Sequence, residues 1–122
     1  MNLRYSAAAV ILLSLPGVRV LAQSWTQTPA PSTSWYSIAS SADGATLAAA
    51  DYYGGQVYRS TNSGATWAPT SAPVQWWHAV ACSAEGSKLV AVSSGPLSGT
   101  GGPIFVSRDA GASWTQANVP DY

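Results

Sequence analysis

"VYRSTNSGATW" occupies Val57–Trp67, and "IFVSRDAGASW" occupies Ile104–Trp114. Both stretches keep serine, Asn or Asp, glycine, a hydroxyl residue and tryptophan in fixed places. These are Ser60, Asn62, Gly64, Thr66 and Trp67 in the first, and Ser107, Asp109, Gly111, Ser113 and Trp114 in the second. Such a stretch reads as the reversal of one short strand into the next. Asn62 or Asp109 can accept hydrogen bonds from backbone N–H groups two residues on, as in an Asx-turn. Gly64 and Gly111 supply a positive φ that a residue with a Cβ resists. Ser60 and Thr66 are expected to bond across the hairpin, and the tryptophan to bury its ring between neighbouring units.

Working outward, the similarity extends well beyond the turn. With Trp35 set on Trp77, "WYSIASSADGATLAAA" falls on "WHAVACSAEGSKLVAV" without a gap, at a spacing of 42 residues. The two turns lie 47 apart, and the five additional residues fall in "SSGPLSGTGGP", which replaces "DYYGGQ". A partial third copy begins at Ser24: "SWTQTPAPSTSW" matches "TWAPTSAPVQWW" from Thr66 and also "SWTQANVP" from Ser113. A period of about 40–45 residues is the length of a four-stranded propeller blade.

Each unit divides into four short strands. They are 35–40 or 77–82, 45–50 or 87–92, 56–60 or 103–107, and 66–70 or 113–117, with Gly44 and Gly86 at the first tight turns. Alanine is a poor strand former, so the run Ala48–Ala50 implies crowding at the second strand. The fold expected is all-β: two four-stranded antiparallel blades, about 35–70 and 77–117, plus one extra strand at 24–28. Two blades and an orphan strand imply part of a larger propeller, with further blades of a longer chain expected ahead of self-association, because a ring of copies has no use for a ninth strand.

The turn resembles the Asp-box of the bacterial neuraminidase (BNR) repeat, Ser-x-Asp-x-Gly-x-Thr-Trp, and the resemblance covers almost all of residues 24–117. Asn62 stands for Asp in the first copy and Ser113 for Thr in the second. The resemblance implies a β-propeller of the sialidase, sortilin or xyloglucan-cleaving glucanase kind. It also implies that the box is a structural turn remote from the binding face.

Ahead of the repeats, residues 1–22 carry Arg4, an apolar run from Ala7 to Leu15, a Pro16-Gly17 break and the small-residue end Val20-Leu21-Ala22. That order reads as a cleaved secretory signal, too short in its apolar part to span a bilayer. Residues 23–122 are then the mature, secreted part, extracellular or periplasmic, with no membrane attachment after cleavage. Three basic residues (Arg59, Lys88, Arg108) face five acidic ones there, for a net charge of −2. With no basic stripe, nucleic acid is not an expected partner. Cys82 stands alone, so no internal disulfide is available, and it reads as a small core residue.

Glycosidase chemistry needs two carboxyl groups across a cleft. Asp43 and Glu85 sit in tight turns, Asp109 in the box and Asp121 near the end, which leaves only Asp51 in a binding-loop position. A sialidase-like site needs an arginine cluster, and Arg59 and Arg108 both flank the box. His78 is the single histidine, so metal spacing is lacking, and no cofactor is expected. The sequence therefore reads as non-enzymatic. The aromatic content is the remaining signal. Trp25, Trp67 and Trp114 read as blade-packing residues, and Trp35 and Trp77 as structural equivalents. Tyr36, Tyr52, Tyr53, Trp76 and His78 have no repeat-imposed role and, with Asp51, fall at the end of the blades opposite the box. They are the candidate ligand-binding residues, for a glycan or protein partner. The leading expectation is a binding or scaffolding module. The alternatives are a fragment of an Asp-box glycoside hydrolase without its catalytic blades, and a purely structural blade pair.

Overall fold

The computed structural model describes residues 24–95 and 101–118. The expected signal at 1–22 lies outside the described residues, as does Asp121. Blade one consists of β1 (Trp35–Ser40), β2 (Leu47–Asp51), β3 (Val57–Ser60) and β4 (Ala68–Pro69). Blade two consists of β5 (Trp77–Cys82), β6 (Leu89–Ser94), β7 (Gly101–Ser107) and β8 (Thr115–Gln116). Each blade is a four-stranded antiparallel sheet with its strands in chain order. No helix occurs among the described residues. The all-β, two-blade reading is correct, and the first strands match their expected limits. The fourth strands are shorter than expected, since only Tyr58↔Pro69, Arg59↔Ala68, Phe105↔Gln116 and Val106↔Thr115 pair.

The expected strand at 24–28 is not one. Residues 24–34 join no ladder. A fourth strand pairs with the third strand of its own blade, and the described residues hold no third strand ahead of it.

The repeated turn works through its serine. Ser60 Oγ accepts from the backbone N of Gly64 at 2.9 Å and of Asn62 at 3.3 Å, and donates to Asn62 Oδ1 at 2.9 Å. Ser107 Oγ makes the same three bonds to Gly111, Asp109 N and Asp109 Oδ1. The Asx side chain reaches four residues on rather than two, accepting from Thr66 N at 2.9 Å or Ser113 N at 2.8 Å. Ser60 and Thr66 do not bond each other, because Asn62 stands between them and its Nδ2 donates to Thr66 Oγ1 at 2.8 Å. Gly64 and Gly111 take φ of 84° and 87°, and the residues before them, Ser63 and Ala110, are also left-handed.

A single core spans both blades. It includes Ala48, Ala50, Val57, Trp77, Val80, Leu89, Ala91 and Phe105, with Trp114 packed against it. The Trp77 and Phe105 rings meet edge to face, centroids 5.6 Å apart. β5 lies against β1 and β2, so the crowding that keeps Ala48 and Ala50 small comes from the next blade. Polar contacts reinforce the join. Ala42 N donates to Ala84 O at 2.9 Å, Val80 N to Ser37 Oγ at 3.1 Å, and Ser71 Oγ to Ala112 O at 2.8 Å. Arg59 donates from Nη1 to Ala110 O at 2.6 Å, capping the left-handed turn of blade two. Trp67 is half-buried beside Trp35, at 6.4 Å between rings. Trp25, expected to pack, is instead 96% exposed.

Candidate functional site

At the end of the blades away from the repeated turns, two backbone devices aim aromatic side chains at one another. The β1–β2 register slips between Trp35 and Ser37, and the β5–β6 register slips between Trp77 and Ala79. Tyr36 and His78 are the additional residues of two equivalent β-bulges. A bulge re-aims the side chain it carries. The two rings meet edge on, 5.4 Å apart, across the join between blades.

The β2–β3 loop supplies the centre of the group. Tyr52 stacks on Tyr36 (5.0 Å, 24°) and meets His78 (5.1 Å, 83°), Tyr53 (5.0 Å, 74°) and Trp76 (6.2 Å, 45°). Geometries of this kind contribute about 0.5–1.5 kcal/mol per pair beyond their buried area. Tyr52 is half-buried as the hub, while Tyr36, Tyr53 and Trp76 keep 59%, 75% and 49% of their surface open. All five aromatic residues singled out from the sequence are therefore brought together. Trp76 also forms one wall of a groove with Gly54, Val74, Gln75, Ser94 and Pro103.

Asp51 belongs to the support and not to the exposed surface. It is buried, its Oδ2 accepting from Thr33 Oγ1 at 2.5 Å and its Oδ1 from Tyr53 N at 3.3 Å. A Cβ on Gly55 would stand 2.1 Å from Asp51 Oδ2, so only glycine admits the carboxylate there. Asp51 thus ties the segment that leads into β1, where Tyr36 stands, to the loop after β2 that carries Tyr52 and Tyr53. Gly55 further pairs with Gln75, next to Trp76. Its binding-loop position in the sequence makes Asp51 a candidate ligand residue, and its burial corrects that expectation. The signal for its inward turn is Thr33, with which it closes a bond across 18 residues.

Charge is concentrated elsewhere. Asp43 and Glu85 lie in the β1–β2 and β5–β6 turns with Lys88, and Arg59, Arg108 and Asp109 lie at the repeated turns. The Ser113 hydroxyl and backbone, then Ser107, hold the Asp109 carboxyl down to about 2. Hydrogen bonds from Ser41 and the Ala45 backbone lower that of Asp43. Burial, aided by Glu85 and Asp43, raises the Cys82 thiol and so favours its protonated form. No group of three His, Cys, Asp or Glu residues that could hold a metal occurs among the described residues. What the aromatic end offers is ring surface, phenolic hydroxyls, one indole and one imidazole, without a lysine or arginine side chain among the described residues.

No family model matches the chain, and no curated protein matches it. Among solved structures, it is similar to the GH74 enzyme of Niastella koreensis, a β-propeller-type glycoside hydrolase. The match has a TM-score of 0.55 and 28% identity, over 73% of this chain and 12% of that one. The chain thus spans about an eighth of that enzyme's length.

Proposed function

We propose that these two blades are a carbohydrate-binding segment of a propeller, that Tyr36, Tyr52, Tyr53, Trp76 and His78 hold a neutral glycan, and that the chain does not cleave it. The observation that carries the reading is the five-ring group centred on Tyr52, open to solvent at one end of a rigid scaffold. Exposed aromatic side chains gathered at one end of a scaffold support a binding surface. Ring faces suit the C–H faces of a pyranose, and hydroxyl, indole and imidazole groups suit its hydroxyls. Lacking cations nearby, the surface suits an uncharged ligand better than an acidic one.

The turns at Ser60–Trp67 and Ser107–Trp114 we read as Asp-boxes, structural and distant from this surface. A second reading is favoured by the likeness to a glycoside hydrolase: the blades are part of such an enzyme, with its catalytic residues on other blades. Both readings use the same sugar-facing end. We further infer export, on the strength of residues 1–22, with Gln23 as the mature N-terminus in the secreted protein.

The test is titration of the chain with a panel of soluble neutral oligosaccharides, followed by tryptophan fluorescence. Binding should weaken at least about tenfold in Tyr52→Ala, a loss of about 1.4 kcal/mol. Equal affinity in Tyr52→Ala, or binding restricted to anionic sugars, would rule the reading out. Hydrolysis of a bound sugar by the isolated chain would rule out its non-catalytic part.

A further inference from the structure

Equivalent residues of the two blades differ in one systematic way. Val80 on β5 is 8% exposed and Trp77 is buried, whereas their counterparts on β1, Ile38 and Trp35, are 68% and 36% exposed. The cause is visible: β5 lies against the blade before it, and β1 has no such neighbour among the described residues. A cavity of about 350 Å³ opens there between Thr28, Ala30, Trp35, Ile38, Ala49 and Trp67. The far side of the chain shows the complement. Ala48 and Ala50 on β2 are buried in the join, but their counterparts on β6, Val90 and Val92, are exposed and half-buried. One chain carries both halves of an interface that it already forms once within itself.

Residues 24–34 determine what fits the open half. Their sequence copies 66–76, and so does their placement. Thr28 stands against Gly64 as Thr70 stands against Gly111, with Cγ2 at 3.1 Å and 3.0 Å from the glycine's Cβ position. Thr70 follows β4, so Ser24–Gln27 occupies the place of a preceding blade's fourth strand. Among the described residues that place has no third strand to pair with, and Trp25 projects into solvent. Ser24-Trp25-Thr26-Gln27 is identical to Ser113-Trp114-Thr115-Gln116, the segment containing β8, and differs from Thr66-Trp67-Ala68-Pro69, the segment containing β4. The side chains that β7 accepts at its edge are therefore written a second time, ahead of blade one. β8 itself is held to β7 by two residue pairs and by the bond from Ala117 N to Ile104 O at 2.7 Å, at a sheet edge where a strand of another chain can pair.

We propose that the occupant of the β1 face is a second copy of this chain, and that the two copies exchange a strand. The Val90 and Val92 face of the second copy seats on Ile38 and Trp35, and Ser24–Gln27 of the first copy replaces β8 on the second copy's β7. Thr28 stays where it stands, and Thr26 takes the place of Thr115 opposite Val106. Trp25 takes the half-buried place of Trp114. The contact is head to tail, so one copy retains a free β1 face and the other a free Val90 and Val92 face, and further copies added in the same way form a ring where the rotation closes. This inference rests on the blade architecture and is independent of the glycan reading.

Light scattering on the purified chain, measured during size exclusion, should give a mass at least twice that of one chain. Ile38→Asp should reduce it to a monomer with unchanged far-ultraviolet circular dichroism. In a Cys82→Ser background, one copy carrying Thr26→Cys and another carrying Val106→Cys should form a disulfide between copies when mixed under oxidising conditions. A monomer at every concentration would overturn the proposal and leave the face to a further blade of the same polypeptide. An assembly indifferent to Ile38→Asp would overturn the interface, and an assembly that never cross-links at this pair would overturn the strand exchange.

Discussion

Gly44 and Gly86 hold the same place in the β1–β2 and β5–β6 turns, with φ of 72° and 78°. Alanine at either must adopt left-handed backbone, at a cost of about 1–2 kcal/mol. Their surroundings differ. A Cβ on Gly44 meets nothing within 4 Å. One on Gly86 would stand 2.6 Å from Thr46 Oγ1 and 2.8 Å from Thr46 Cβ, both on blade one. At those separations the threonine or its backbone must shift, and overpacking of this kind adds about 1–3 kcal/mol. Gly44→Ala should therefore lose about 1–2 kcal/mol and Gly86→Ala about 2–5 kcal/mol. Urea denaturation followed by tryptophan fluorescence measures both, provided the slopes agree between variants. Equal losses, or the larger loss at Gly44, would refute the claim that blade one seats on the turn of blade two.

Two further outcomes follow from the hydrogen bonding. The Asp109 carboxyl lies below its unfolded value of 3.8, at about 2, so its contribution is complete above the unfolded value and is lost as pH falls through the folded one. Amide protection at Gly111 and Ser113, corrected for the pH dependence of intrinsic exchange, should fall across that window while that of Gly64 and Thr66, in the turn built on uncharged Asn62, stays level; parallel behaviour in the two turns would contradict the assignment. Asp51→Ala should cost about 1–3 kcal/mol by leaving the Thr33 hydroxyl and Tyr53 N–H unpaired, and should weaken the near-ultraviolet circular dichroism of the tyrosine group. An unchanged aromatic spectrum would show that Asp51 does not position these rings.

The blades were legible in the sequence because the repeat exposes them twice. Trp35 over Trp77 and Ser60 over Ser107 set the strand order, and Gly44, Gly64, Gly86 and Gly111 mark reversals that need positive φ. The aromatic group was legible by subtraction, since Tyr36, Tyr52, Tyr53, Trp76 and His78 had no duty in the repeat. Other features depend on what surrounds a residue and leave no local trace. Strand character at Ser24–Thr28 requires a partner strand, and Trp25 requires a neighbouring blade to cover it. The bulges at Tyr36 and His78 come from register, which no alternation in "WYSIAS" or "WHAVAC" announces. The inward turn of Asp51 depends on Thr33 and on the absence of a Cβ at Gly55, and the Arg59 cap depends on blades that meet only in three dimensions.

The central claim, that the aromatic end of the blades is the glycan surface, is tested most directly by backbone amide shifts recorded while a neutral oligosaccharide that binds is added. The account predicts shifts confined to residues around Tyr36, Tyr52–Gly54 and Trp76–His78, with the amides of Ser60–Thr66 and Ser107–Ser113 unmoved. Shifts centred on those repeated turns, with the tyrosine group silent, would contradict it.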